Sequence, residues 1–232
     1  MRIISFVTQK GGTGKSTLAF NVAVAAAEAG ETVALFDLDP QGMLTVWGKR
    51  REGLAELAEE AKDTARVATL SNPQVQHITP AELPAFRKQL KELTGFSLVI
   101  LDTKGEDSPA QRMAIQAADF NIVVMRPSRA DVDMSLPTLE TLTDTKVNGV
   151  TKPWASALTQ CPAIPNNNRA PEVALALRML GKLLEPLVWN RTEYQDAYAE
   201  GLGVTERNPK GKAAEEMRAM WKSIDRATKG MK

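Results

Sequence analysis

Gln9-Lys10-Gly11-Gly12-Thr13-Gly14-Lys15-Ser16-Thr17 brings together the groups that hold a chain of phosphates. Its three glycines let successive backbone N–H groups turn toward an anion with no Cβ in the way. A helix opening at Lys15 adds the positive end of its dipole and its unpaired N–H groups. Lys15 supplies a charge for the terminal phosphates, and the Ser16 hydroxyl suits Mg²⁺. The general pattern carries glycine five positions before Gly14. Gln9 stands there, and Lys10-Gly11-Gly12 makes this a deviant form of the loop. The plain alternative is a glycine-rich turn that carries a lysine by chance. The flanks weigh against it, because Ile3 to Val7 reads as a strand and Leu18 to Ala29 as an alanine-rich helix, the context a phosphate loop requires.

Two further apolar runs end in carboxylates. Thr32 to Phe36 runs into Asp37-Leu38-Asp39-Pro40-Gln41, and Leu98-Val99-Ile100-Leu101 runs into Asp102. Parallel strands deliver their functional residues at their carboxyl ends, so both sets would lie beside the glycine loop. An aspartate ending a strand is a weak signal alone, and Asp-x-Asp-Pro also reads as a turn. Paired with the loop, Asp102 becomes a candidate to hold Mg²⁺ through its water shell. The loop after it, Thr103-Lys104-Gly105-Glu106-Asp107, is polar and suited to moving when a terminal phosphate is lost.

Stepping outward, the elements that must carry these residues alternate short apolar runs with amphipathic ones, which predicts an α/β fold with a mainly parallel twisted sheet and helices on both faces. Beyond the runs above, strands are expected at Phe120 to Met125 and Trp154 to Thr159, with shorter ones at Val67 to Leu70 and Leu187 to Trp189. Helices are expected over Met43 to Lys62, Ala81 to Leu93, Asp131 to Thr145 and Met217 to Thr228. Pro73 to Pro80 and Cys161 to Asn168 read as loops. With 232 residues and no long linker, residues 1–232 are expected to form one domain. The net charge of +1 gives no global attraction to nucleic acid, so any basic patch is local. One cysteine, Cys161, excludes an intramolecular disulfide and an all-cysteine metal site, and suits a reducing cytoplasm. One histidine, His77, leaves little material for a histidine-based metal cluster or triad and reads as a surface residue. No charged-then-apolar leader opens the chain, and no apolar run approaches the ~20 residues of a spanning helix.

Lys10 to Thr17, Asp37 to Gln41 and Leu98 to Asp102, in this order and spacing, resemble the ParA/MinD family of deviant-Walker ATPases. The likeness runs through nearly all of the chain. With nothing long before Arg2, the helix-turn-helix domain of larger ParA proteins is not expected. Asp39-Pro40-Gln41 followed by Leu44 and Trp47 resembles the small ParF-like subtype. Asp102-Thr103-Lys104-Gly105 departs from the common Asp-x-Pro-Pro and is closer to ParF and the Vir accessory ATPase. The resemblance implies ATP/ADP and Mg²⁺ as ligands, with residues 10–17 as the nucleotide cradle: Lys10, Gly11, Gly12, Thr13, Gly14, Lys15, Ser16 and Thr17. Ser16, Asp39 and Asp102 would serve the metal. Lys15 would bind the β- and γ-phosphates, Asp39 would position or activate the attacking water, and Lys10 would reach the partner's phosphates across a nucleotide-sandwich homodimer. Gln160 and Asn190, at two strand ends, are the candidate adenine contacts.

The family reading also implies a surface to bind and a ParB-like adaptor that stimulates hydrolysis. From Thr205 to Lys232 the chain carries an excess of four positive charges. Arg218, Lys222 and Arg226, joined by Arg191, are the candidates for sequence-independent contact with nucleoid DNA; for any one of them a solvated helix face is the plain alternative. Met217, Met220, Trp221 and Ile224 fall at helical spacing among them, which raises a MinD-like membrane reading. That stripe is more simply the face that docks on the core. A dethiobiotin-synthetase-like ligase shares the fold and is the metabolic alternative, against which Lys10 and Asp37 to Gln41 argue. An electron carrier of the nitrogenase-iron-protein kind would need more cysteines than Cys161.

Overall fold

In the computed structural model, which describes residues 1–144, 146–147, 150–163 and 169–230, the run before the glycine loop is strand β1 (Arg2–Val7) and the run after it is helix α1 (Lys15–Glu28). The chain continues through β2 (Val33–Leu38), α2 (Met43–Glu60), α3 (Thr64–Leu70), β3 (Gln74–His77), α4 (Leu83–Glu92) and β4 (Leu98–Thr103). Next come α5 (Pro109–Ala117), β5 (Phe120–Met125), α6 (Arg129–Asp144), the two-residue strands β6 (Lys146–Val147) and β7 (Val150–Thr151), and β8 (Trp154–Leu158). Helices α7 (Arg169–Met179), α8 (Glu193–Glu200), α9 (Val204–Arg207) and α10 (Lys212–Thr228) complete it. Residues 164–168 of the expected loop Cys161 to Asn168, and Thr145 at the end of an expected helix, lie outside the described residues.

Six strands form one sheet in the order β3-β2-β4-β1-β5-β8, and every neighbouring pair is parallel. β1, β2, β4 and β5 are almost wholly buried, which is why they read as continuous apolar runs rather than alternating ones. Alternate residues of these strands enter different cores. Ile4, Phe6, Leu98, Ile100 and Ile122 pack under α1, α2 and α10, whereas Phe36, Val99 and Leu101 pack under α4 and α5. Val7, Val123 and Met125 meet α6 and α7. The expected three-layer arrangement is therefore present, with a main sheet that is all-parallel. From β1 the chain crosses to one side of the sheet, and from β4 it crosses to the other. β1 and β4 are neighbours, so their carboxyl ends flank the point where the strand order reverses, where α/β sheets bind ligands.

Three short expectations fail for physical reasons. Val67 to Leu70, read as a strand, is the end of α3, whose start is capped by the Asp63 side chain accepting from Arg66 N–H. Pro73 to Pro80, read as a loop, contains β3, an edge strand of polar composition that pairs only with β2. Leu187 to Trp189, read as a last strand, makes one isolated bridge instead, Trp189 opposite Cys161. α10 begins earlier than expected, at Lys212, and its Met217, Met220, Trp221 and Ile224 are all buried. Each such burial is worth about 1.5–3 kcal/mol, so the apolar stripe is spent on the core. No described helix is long and apolar enough to cross a membrane.

Candidate functional site

The glycine loop follows β1 directly. Gly12 and Gly14 have φ of +74° and +80°, a backbone region in which a side chain is strained. Nothing lies within 4 Å of where a Cβ on Gly11 or Gly12 would sit, so the cradle is open on that side. Gly14 caps α1 with no side-chain hydrogen bond, which leaves the first N–H groups of the helix free for an anion. The Thr13 hydroxyl is buried and has no hydrogen-bond partner.

β2 and β4 pair in register, Asp37 opposite Asp102, so both acidic loops leave the same edge beside the cradle. Lys15 Nζ donates to Asp102 Oδ1 at 2.7 Å, with the carboxylate fully buried and the lysine side chain 6% exposed. Burial pushes the Asp102 carboxyl above its ordinary value, against the opposing pull of Lys15 and the Ser16 hydroxyl. Its second oxygen, Oδ2, is buried and has no hydrogen-bond partner. A hydroxyl beside a buried, partly unsatisfied carboxylate fits Mg²⁺, which takes few protein ligands and keeps several waters. Among the described residues no three His, Cys, Asp or Glu side chains cluster as a cage for a metal.

The two aspartates at the end of β2, Asp37 within it and Asp39 just beyond, divide their tasks. Asp37 is buried and accepts from Thr45 N–H and the Thr45 hydroxyl, both at 2.9 Å, which ties β2 to the start of α2. Asp39 is half-buried, and its Oδ1 accepts from Gln41 N–H at 2.9 Å. Lys104, after β4, is raised above its ordinary value by its hydrogen bond to Glu106 and by the charges of Glu106 and Asp39. The loop it belongs to lies hard against the cradle: a Cβ on Gly105 would come within 2.9 Å of Gly11 N and of Lys10 C and O. The buried Gln111 amide, with its nitrogen turned inward, donates to the Thr8, Lys104 and Glu106 carbonyls and holds the loop there. Sequence reasoning missed Gln111, although Ser108-Pro109, which starts α5 with the Ser108 side chain accepting from Gln111 N–H, is a helix-start signal.

Lys10 is about one-third exposed, and its Nζ donates to Asp131 Oδ1 at 2.7 Å. Gln160, at φ +50°, donates from Nε2 to Gly12 O, and the Thr159 hydroxyl donates to Thr13 O. Cys161 and Asn190 are joined by a backbone hydrogen bond of 2.8 Å. These pairings bring both candidate base contacts to one cavity of about 250 Å³ that reaches from Gly14 and Thr17 to Gln160, Asn190 and Tyr194. Arg191, grouped by sequence with the C-terminal basic residues, lines this cavity, and its guanidinium donates twice to Glu216. Arg218 is also engaged, with Glu28. Lys222 and Arg226 are exposed and have no ion-pair partner among the described residues. The Cys161 thiol is buried and pushed up to about 12 by that burial and by Glu216, so it is inert.

The family model "ATPase MipZ" matches residues 2–153. The maintenance of carboxysome distribution protein A of Gloeobacter kilaueensis is 34% identical over 139 residues, covering 60% of this chain and 55% of that one. Protein ParA of Rhizobium radiobacter is 25% identical over 204 residues, covering 87% and 84%. The match with the first of these relatives thus spans about half of its length. Among solved structures, a putative plasmid partition protein of Borrelia burgdorferi bound to AMPPNP superposes with a TM-score of 0.71 at 17% identity, covering 97% of this chain and 99% of that one. The cell division ATPase MinD of Pyrococcus furiosus gives 0.68 at 19%, with the same coverage. The family match holds the cradle, both acidic loops and Lys10 within one continuous segment, and the fold match extends over the rest. The chain belongs to the ATPase MipZ family, within the ParA/MinD group of deviant phosphate-loop proteins.

Proposed function

We propose that this protein is a Mg²⁺-dependent ATP hydrolase of the ParA type, which dimerises around ATP, rides on non-specific DNA and positions a cargo through an adaptor that triggers hydrolysis. The observation that carries the reading is the open glycine cradle closed on one side by the buried Lys15–Asp102 pair. Residues 11–17 bind the phosphates, Lys15 turning from Asp102 to the β- and γ-oxygens. Ser16, Asp39 and Asp102 serve Mg²⁺, which when bound neutralises charge gathering on the terminal phosphates. Asp39 orients the attacking water. Lys10 crosses to the partner's phosphates, where a cation supplied in trans acts as an arginine finger does. Gln160 and Asn190 hold the base in the adjoining cavity.

The partition and distribution proteins among the relatives support cargo positioning as the use of this cycle. Lys222 and Arg226 on α10 are the free cations for DNA phosphates, doubled by dimerisation. A bilayer is a poor alternative surface for this helix, because its apolar stripe packs on the core. The test is binding to non-specific duplex DNA with ADP and with ATP at two salt concentrations, beside liposome flotation of the same samples. ATP-dependent, salt-sensitive DNA binding without flotation is expected, weakened by Lys222→Glu with Arg226→Glu. Flotation without DNA binding would move the protein to a membrane-cycling role. Neither would point to a metabolic ligase.

A further inference from the structure

Lys10 is committed elsewhere in the single chain. Its ammonium sits 2.7 Å from Asp131, a carboxylate 2% exposed in the first turn of α6. The backbone of Lys10 is fixed, since Gly105 packs against its carbonyl and its N–H donates to the Thr8 hydroxyl at 3.3 Å. Only the side chain is free to swing. Asp131 keeps other partners: the Ser128 hydroxyl at 2.6 Å, Arg126 Nε at 3.1 Å and a second Arg126 nitrogen at 3.3 Å. It also lies at the positive end of α6. Burial draws its carboxyl up, yet the bonds from Lys10, Ser128 and Arg126 outweigh that and hold it below the ordinary value. When Lys10 leaves, Ser128 and Arg126 still bond the carboxylate, so it is not left as an unpaired buried acid.

We propose that Asp131 is a positioning residue that holds Lys10 on its own chain and so sets the protein concentration at which the ATP-bound dimer forms, with Arg126 competing against Lys10 for the same carboxylate. The inference rests on the trans role of Lys10 proposed above. Lys10 faces a choice between one carboxylate in its own subunit and phosphates in another, and a two-state contact of this kind raises the threshold for assembly without touching nucleotide binding to the single chain.

The experiment is sedimentation velocity across a protein concentration series with Mg·ATP, on the full chain, with nucleotide affinity of dilute protein measured alongside. Asp131→Asn keeps the shape and weakens the hold on the ammonium. Its dimer should form at a concentration at least about tenfold lower, the lower end of the range for one charge-assisted bond. Arg126→Ala, at a side chain 36% exposed, removes the competitor and should shift assembly to higher concentration. Nucleotide affinity of the single chain should be unchanged in both, and a purely structural role would not give opposite signs. An unchanged or raised threshold in Asp131→Asn, or a lowered one in Arg126→Ala, overturns the proposal. If Asp131→Asn fails to fold, Arg126→Ala decides alone. Lys10→Ala separates the two layers: a normal ATP-dependent dimer there refutes the trans role itself, whatever Asp131 does.

Discussion

Replacing Lys15 by Met in the nucleotide-free protein should expose how much of the site's cost is borne by one ion pair. The change keeps the side-chain length and removes the ammonium, leaving a fully buried Asp102 carboxylate with only the Ser16 hydroxyl beside it. Breaking one side of a buried pair costs about 3–5 kcal/mol. At pH 7.5 that loss has a ceiling of about 5 kcal/mol, because beyond it the acid, with an ordinary pKa of about 3.9, takes up a proton instead. The ceiling drops by about 1.4 kcal/mol per pH unit, to about 2 kcal/mol at pH 5.5. The sign follows from the wild type. An acid whose folded pKa is raised binds its proton more tightly when folded, so it stabilises at low pH and that contribution is lost as pH rises. Without Lys15 to oppose the shift, the deficit of the variant should widen between pH 5.5 and 7.5. Asp102→Asn in the same chain removes the charge and should restore most of the loss, giving a coupling of at least about 2 kcal/mol in a double-mutant cycle. Urea unfolding of the four proteins by tryptophan fluorescence measures it. Additivity within about 0.5 kcal/mol, or a deficit independent of pH, would refute the reasoning.

Asp39→Ala should leave stability nearly unchanged, since the side chain is half-buried and accepts from Gln41 N–H at the open end of the strand. It should retain ATP, accumulate as dimer and hydrolyse at least about 10²-fold more slowly, and normal turnover would remove Asp39 from the chemistry. Gly105→Ala must push the loop after β4 off the cradle, because backbone rather than a flexible side chain lies 2.9 Å from the new methyl. A cost of about 1–3 kcal/mol, or about 2–12 °C in Tm, is expected together with weaker nucleotide binding. An unshifted melting curve would mean that the two loops do not press on each other.

Much of this was legible because the fully buried parallel strands write themselves as apolar runs and the glycine loop sits between a strand and a helix with little room for another reading. Asp102 was legible for the same reason, since its strand points at the loop. β3 was not, because Gln74 and Gln76 face solvent at the sheet edge and leave no apolar signal. The Asp131–Lys10 contact was beyond local pattern altogether. Ser128-x-x-Asp131 announces only a helix start, and the lysine it grips lies on another strand's loop. The engagement of Arg191 was hidden for a related reason, as charge counting cannot see that Glu216 holds it. Arg218, another member of the expected basic patch, pairs with Glu28.

Helix α10 packs along α1, and the two are laced at their edges by Arg218 with Glu28. Arg2 at the start of β1 adds a tie to Asp225. α1 begins at Lys15, so one end of it is the phosphate cradle and its flank is the bed on which the cation-bearing helix lies. Treated as a rigid beam, its 14 residues span about 21 Å. A tilt of about 5° at the cradle then moves its far end by about 2 Å, comparable to the helix shifts that switch other proteins. A terminal phosphate that tilted α1 from the cradle end would carry α10 and its cations with it, with no relay of intermediate loops between the two.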